Sequence, residues 1–249
     1  VVEEYREEYW KQALEQLRAG RGRDCRAIGE LPASVSPVNM SEAMHLQDAL
    51  NQRLVADGFG NIVGTKIGCT TRIMQEYLGM EHPCTGAIFD SSLFSEIGVY
   101  EFNSFLHVGV ECEIAVTLGE SIPVSSEGYS LESVSPAVAS VHAAIEVVDD
   151  RYHDFENRIP DCYTWVADDF FAAGAVLGKP VTDWTKLDLP SLRGNMLIDG
   201  EEVGDGFGRD IINGHPLEAL VWLANEQSRR GHEIPAGWVV MLGSVVQTK

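Results

Sequence analysis

The sequence predicts an α+β fold, a mixed β-rich core preceded by a section of helices. Two observations carry this. Helical periodicity is confined to a few segments, the clearest near the start and over residues 217–230. Between them lie many short extended segments punctuated by glycine, a pattern of strands built around one core.

Taken in order, residues 5–19 predict a helix: Tyr5, Tyr9, Trp10, Ala13, Leu14 and Leu17 recur at three- and four-residue steps, and Gly20 and Gly22 end it. Residues 31–37, with Pro32 and Pro37, read as a loop. Ser41 predicts an N-cap for a second helix running to about Ala56, closed by Asp57-Gly58. Residues 1–60 thus form an N-terminal helical section and 61–249 the catalytic domain. Residues 62–68 read as a strand, and 91–99 and 109–118 as strands or extended segments. A helix is expected over 131–145, followed by a strand at 145–148. Residues 176–178, 194–198 and 238–242 are further short strands. Residues 217–230 predict an amphipathic helix with Leu217, Leu220, Val221 and Ala224 on one face and Gly231 just past its end. No internal repeat occurs.

Composition narrows the function. The 249 residues are 45% hydrophobic and 22% charged, which suits a globular core. No apolar run of about 18 residues occurs, so no membrane span is expected. Net charge is −20, from 38 acidic and 18 basic residues. Such a surface repels phosphate backbones and anionic lipid, so neither nucleic acid nor membrane is an expected partner. The start, Val1-Val2-Glu3-Glu4-Tyr5, does not read as a signal peptide. Five scattered cysteines without a CxxC pair fit reduced thiols in a cytoplasmic protein.

The sharpest chemical feature is Val110-Glu111-Cys112-Glu113-Ile114. Residues i and i+2 of a strand share a face, so Glu111 and Glu113 stand side by side. Two such carboxylates among apolar neighbours repel unless a positive ion lies between them; the alternative is a polar strand face at the surface. Glu146 lies in the apolar run Ile145-Glu146-Val147-Val148 and also needs a partner. Three carboxylates with water or substrate oxygens complete an octahedral Mg²⁺ or Mn²⁺ site. His107 and His142 lie close in sequence and would either add nitrogen ligands or satisfy local hydrogen bonds. Lys66, between Gly64 and Gly68, could neutralise a substrate carboxylate or shuttle a proton, or be a surface lysine in a turn.

These motifs resemble the 2-oxopent-4-enoate hydratase group of the fumarylacetoacetate hydrolase superfamily, which includes 4-oxalocrotonate decarboxylases. The resemblance spans nearly the whole chain. It rests on Gly64-Thr65-Lys66-Ile67-Gly68-Cys69-Thr70, Leu78-Gly79, Pro83, Gly86, Glu111-Cys112-Glu113, His142, Glu146 through Arg151, Ala167-Asp168, Leu177-Gly178, Pro216-Leu217-Glu218-Ala219-Leu220 and Gly243-Ser244. It implies a fumarylacetoacetate hydrolase-like mixed core and Mg²⁺ or Mn²⁺ at Glu111, Glu113 and Glu146. It also implies Lys66 as the acid/base or carboxylate-binding group, and Thr70, Cys84, Phe171 and Ser244 facing substrate. Members are commonly homo-oligomers. Two segments depart from the pattern. Cys84 stands where the family has an acid, and Ala167-Asp168-Asp169-Phe170-Phe171 replaces an amide by Asp169 and a hydroxyl by Phe171.

The resulting expectation is a metal-dependent lyase for a small 2-oxo or 2-hydroxydienoic acid, in which the metal acts as a Lewis acid and stabilises an enolate. Hydration of a 2-oxopent-4-enoate-type substrate is the first reading. Decarboxylation of a 4-oxalocrotonate-type substrate shares the same electron sink. An acylpyruvate hydrolase and a non-catalytic oxo-acid-binding homologue are further alternatives.

Overall fold

A computed structural model describes residues 2–22 and 24–249, with side chains from residue 9 onward. The expected packing of Tyr5, and Val1 of the leader reading, lie outside the described parts. Helix α1 (Val2–Arg18) buries Trp10, Ala13, Leu14 and Leu17, and helix α2 (Met40–Ala56) buries Leu46, Leu50 and Leu54 in the same apolar cluster. That cluster also takes in Cys69, Cys84, Trp165 and Phe170. The cap of α2 is Asn39 rather than Ser41. Asn39 is extended (φ −158°, ψ 169°) and its side chain accepts the Glu42 N–H at 2.9 Å, while Ser41 already lies within the helix. The Glu42 carboxylate in turn accepts the Val38 N–H, so two of the helix's first donors are satisfied locally.

The core is a seven-stranded mixed sheet in the order β2-β1-β9-β4-β5-β6-β3. Its strands are β1 (Ile62–Gly68), β2 (Cys84–Phe89), β3 (Leu93–Ser95), β4 (Val108–Leu118), β5 (Val138–Asp149), β6 (Ala172–Leu177) and β9 (Val239–Val246). A separate hairpin pairs β7 (Arg193–Ile198) with β8 (Glu201–Phe207). Short helices α3 (Arg72–Leu78), α4 (Leu131–Val134) and α5 (Cys162–Ala167) connect strands, and α6 (Leu217–Arg230) covers one face of the sheet. Leu217, Leu220, Leu223 and Ala224 of α6 pack with Ile114, Val116, Val141 and Leu242, and Gly231 closes the helix at φ 77°. Val221 only flanks that cluster. The sheet curls so that β2 and β6 approach one another.

The helix expected over 131–145 is overturned. Only Leu131–Val134 is α-helical, and after a 3-10 turn containing Pro136 the chain becomes β5. Ser140, His142, Ala144 and Glu146 are buried while Ala139, Ala143 and Ile145 are exposed. This period of two is masked in the sequence by alanine and serine, which weigh toward helix or turn. Pairing with β4 over the whole length decides the outcome. The extended segment expected at 91–99 shrinks to β3 because Glu96 takes φ 63°, which breaks the strand. Among the described residues no helix is long and apolar enough to cross a membrane.

Candidate functional site

The concave face of the curled sheet carries the acids. In the β4–β5 ladder Glu111 stands opposite Glu146 and Glu113 opposite Ala144. Directly paired residues point to one face, so all three carboxylates converge. Each offers an oxygen, and these oxygens lie within 4.8 Å of one another. Glu113 and Glu146 are each 3% exposed, whereas Glu111 is half-buried. Glu113 accepts the Gly243 N–H at 3.0 Å, and the Thr248 hydroxyl donates to Glu111. Gly243 needs to be glycine: its φ is 129°, and a Cβ there would sit 2.8 Å from the Thr70 hydroxyl oxygen.

Lys66 projects from β1 into the same space. Its Nζ lies 3.1 Å from Glu146 Oε1, yet that oxygen accepts no aligned hydrogen bond. Burial works to lower the lysine's pKa, but the carboxylate of Glu146, then Cys84 and Glu111, outweigh it, so the ammonium stays charged. Burial pushes Glu146 up to about 7, against the pull of Lys66. It pushes Glu113 well above the carboxylate range, helped by the neighbouring Glu146 and Glu111. Three carboxylates against one ammonium leave two uncompensated negative charges in a dry place. The orphaned Glu146 oxygen and the all-oxygen donor set fit a hard divalent cation.

The histidines stand apart from this cluster. His142 donates from Nδ1 to the Gly178 carbonyl at 2.9 Å, and its Nε2 faces the hydroxyls of Thr117 and Ser140, each at 3.0 Å. His107 bonds the Asp150 carbonyl. Both therefore take the local hydrogen-bonding role.

The other residues singled out in the sequence scatter around the site. Thr70 is buried against Gly243, beside the carboxylates. Cys84 is fully buried in the apolar cluster near Lys66, and burial holds its thiol well above the usual range. Phe171 packs its ring with Tyr152, Phe155 and Phe170 rather than toward the glutamates. The Ser244 hydroxyl is engaged with the backbone carbonyls of Cys112 and Val246.

One residue that the sequence noted only as a small-residue position now stands over the lysine. The ring centroid of Phe170 is 4.9 Å from Lys66 Nζ, and a Cβ at Gly68 would lie 2.5 Å from that ring. Asp169, Phe170 and Phe171 have φ of 58°, 45° and 67°. Three consecutive non-glycine residues in this region cost about 1–2 kcal/mol each and need outside support. Arg151 supplies it, donating to the Asp168 carboxylate at 2.9 Å and to the carbonyls of Asp168 and Ala172. Arg21 bridges the carboxylates of Asp168 and Asp169, and Asn51 and the Ala87 N–H complete Asp169.

Comparison with known proteins follows the geometry. The chain is 30% identical over 245 residues, 98% of its length and 87% of the relative's, to a 2-keto-4-pentenoate hydratase of Paraburkholderia xenovorans strain LB400. Its structure resembles 4-oxalocrotonate decarboxylase from Pseudomonas putida G7, solved with magnesium and adipate, at a TM-score of 0.86 and 27% identity; the match covers 98% of this chain and 89% of that one. A fumarylacetoacetate hydrolase family protein from Yersinia pestis CO92 shares the fold at a TM-score of 0.55 and 16% identity, over 74% and 82% of the two chains. No protein-family model matches.

Proposed function

We propose, on the premise that this chain belongs to the 2-keto-4-pentenoate hydratase and 4-oxalocrotonate decarboxylase group of the fumarylacetoacetate hydrolase fold, that it is a divalent-metal-dependent hydratase of a small 2-hydroxydienoic acid. The observation that carries this is the convergence of Glu111, Glu113 and Glu146 beside Lys66. The three glutamates would hold Mg²⁺ or Mn²⁺, which when bound polarises the 2-oxo oxygen and stabilises negative charge developing on it.

The chain's own groups do the rest. Lys66 Nζ offsets the excess carboxylate charge and moves a proton between the 2-oxo oxygen and C3 or C5 of the substrate. Glu146 fixes the lysine's position through their ion pair. Phe170 keeps water off one side of the ammonium. The net reaction adds water to a 2-hydroxypenta-2,4-dienoate: the hydroxyl goes to C4, C3 and C5 each end with one more hydrogen, and the 2-hydroxyl becomes a ketone. Supplying this dienol with Mg²⁺ should remove its absorbance and yield 4-hydroxy-2-oxopentanoate. An unchanged dienol in the Mg²⁺-loaded protein counts against the hydratase.

A second reading is decarboxylation. It is favoured by the likeness to the decarboxylase of Pseudomonas putida G7 and by Cys84 standing where the family has an acid. CO₂ release from 2-oxohex-3-enedioate, without hydration of the dienol, selects it.

A further inference from the structure

The seam where β2 and β6 approach each other holds a chamber that none of the roles above uses. Among the described residues no backbone ladder joins these two strands. A cavity of about 220 Å³ remains between them. Its inner end is formed by Lys66, Glu146 and Met241, and Ser91, Ser92 and Ser104 lie among its outer lining residues. We infer that this chamber is the distal half of the substrate site and takes the apolar tail of a monocarboxylic 2-oxo acid while rejecting a second carboxylate. The inference rests on the metal-and-lysine reading above.

Three features support it. Phe170 fills the Gly68 side of Lys66, so a molecule held at the glutamates and touching the lysine has its open path into the seam. The walls there are small: Ala172, Ala173, Gly174 and Ala175 leave the volume that larger side chains would fill. An apolar cavity of about 150 Å³ already accommodates benzene, so a tail of a few carbons fits.

Charge supplies the selectivity. Lys66, Arg21 and Arg151 line the chamber, and so do Glu146, Asp149 and Asp169. Each of these cations already faces a carboxylate: Lys66 faces Glu146, Arg151 faces Asp168, and Arg21 faces Asp168 and Asp169. Asp168, fully buried, adds a fourth negative charge behind the wall. A carboxylate entering the chamber would lose its water with no unpaired cation to meet it. A methylene entering gains roughly fourfold in affinity from burial.

The test uses calorimetric titration of the Mg²⁺-saturated protein with unreactive acids. Oxalate reads the metal site alone. 2-Oxohexanoate and 2-oxoadipate share a length and differ in whether the tail ends in methyl or carboxylate. The wild type is expected to bind 2-oxohexanoate at least about tenfold more tightly than 2-oxoadipate. Ala173→Leu should weaken 2-oxohexanoate by about tenfold while leaving oxalate within about twofold, which also shows that the variant is folded. Ser104→Arg, which adds a cation at a half-buried lining position, should strengthen 2-oxoadipate by about fivefold or more. Equal affinities for the two acids in the wild type, or undiminished 2-oxohexanoate binding by Ala173→Leu, overturns the assignment. A Ser104→Arg protein that gains nothing overturns the charge exclusion. Failure of the wild type to bind oxalate with Mg²⁺ brings down the metal reading itself, and the chamber assignment with it.

Discussion

Lys66 Nζ lies 3.1 Å from Glu146 Oε1, and neither side chain is more than 5% exposed. An ammonium sealed against a carboxylate in this way is held at one point in space. It is also the one cation that the concave face sets against three acids.

Replacing it should separate binding from chemistry. Lys66→Met is expected to keep Mg²⁺, because all three glutamates remain, and to lose turnover by about 10²–10⁴-fold, the range for a positioned acid/base group. Mg²⁺ titration alongside dienol absorbance checks this. Loss of folding, read by circular dichroism, would instead make the lysine structural.

Glu113→Gln removes a buried anionic ligand. Mg²⁺ affinity should fall by more than the roughly 10–100-fold that outer-shell changes cost, and activity should fall with it. The melting temperature without metal should hold or rise, because one like charge leaves the cluster. Wild-type turnover by this variant after chelation would refute the three-glutamate site.

The pH dependence has a defined sign. Glu146 is raised from 4.5 to about 7 in the folded protein, and Glu113 is raised as well. Between these values the folded state binds more protons than the unfolded chain. The contribution of these groups to stability is therefore fully present below about pH 4.5 and is lost as pH rises through about 7. A divalent cation competes with those protons, so the increase in Tm on adding Mg²⁺ should be larger at pH 8 than at pH 5.5. Differential scanning calorimetry in EDTA and in Mg²⁺ measures it; a pH-independent increment would contradict the raised carboxylates.

Arg151→Ala should destabilise the fold by about 3–5 kcal/mol, because it strands Asp168, which is fully buried. Arg151→Lys should recover only part, since an ammonium cannot reproduce a guanidinium that reaches one carboxylate and two carbonyls. Urea unfolding midpoints of the two variants decide this.

The metal-ligating geometry was legible in the sequence because it is local. Glu111 and Glu113 are two apart in a strand that reads as a strand, and Glu146 is an acid stranded among Ile and Val. The length of β5 was hidden, since Ala139, Ser140, Ala143 and Ala144 carry little preference for strands and only the β4 partner fixes them. The position of Phe170 over Lys66 was not legible either. It depends on a left-handed turn held by Arg21 from 147 residues away, a contact that no periodicity encodes. Cys84 and Phe171 drew notice as departures from a pattern, but only the fold shows one sunk in the apolar cluster and the other turned into an aromatic stack.

Because Glu111 and Glu146 sit on opposite sides of a single ladder rung, the site inherits the accuracy of strand pairing. A slip by one residue would throw Glu146 to the far side of the sheet and leave a lone pair of acids behind. High-affinity Mg²⁺ uptake therefore counts the molecules in a preparation whose two long strands have aligned correctly, giving an assay of folding fidelity that needs no substrate.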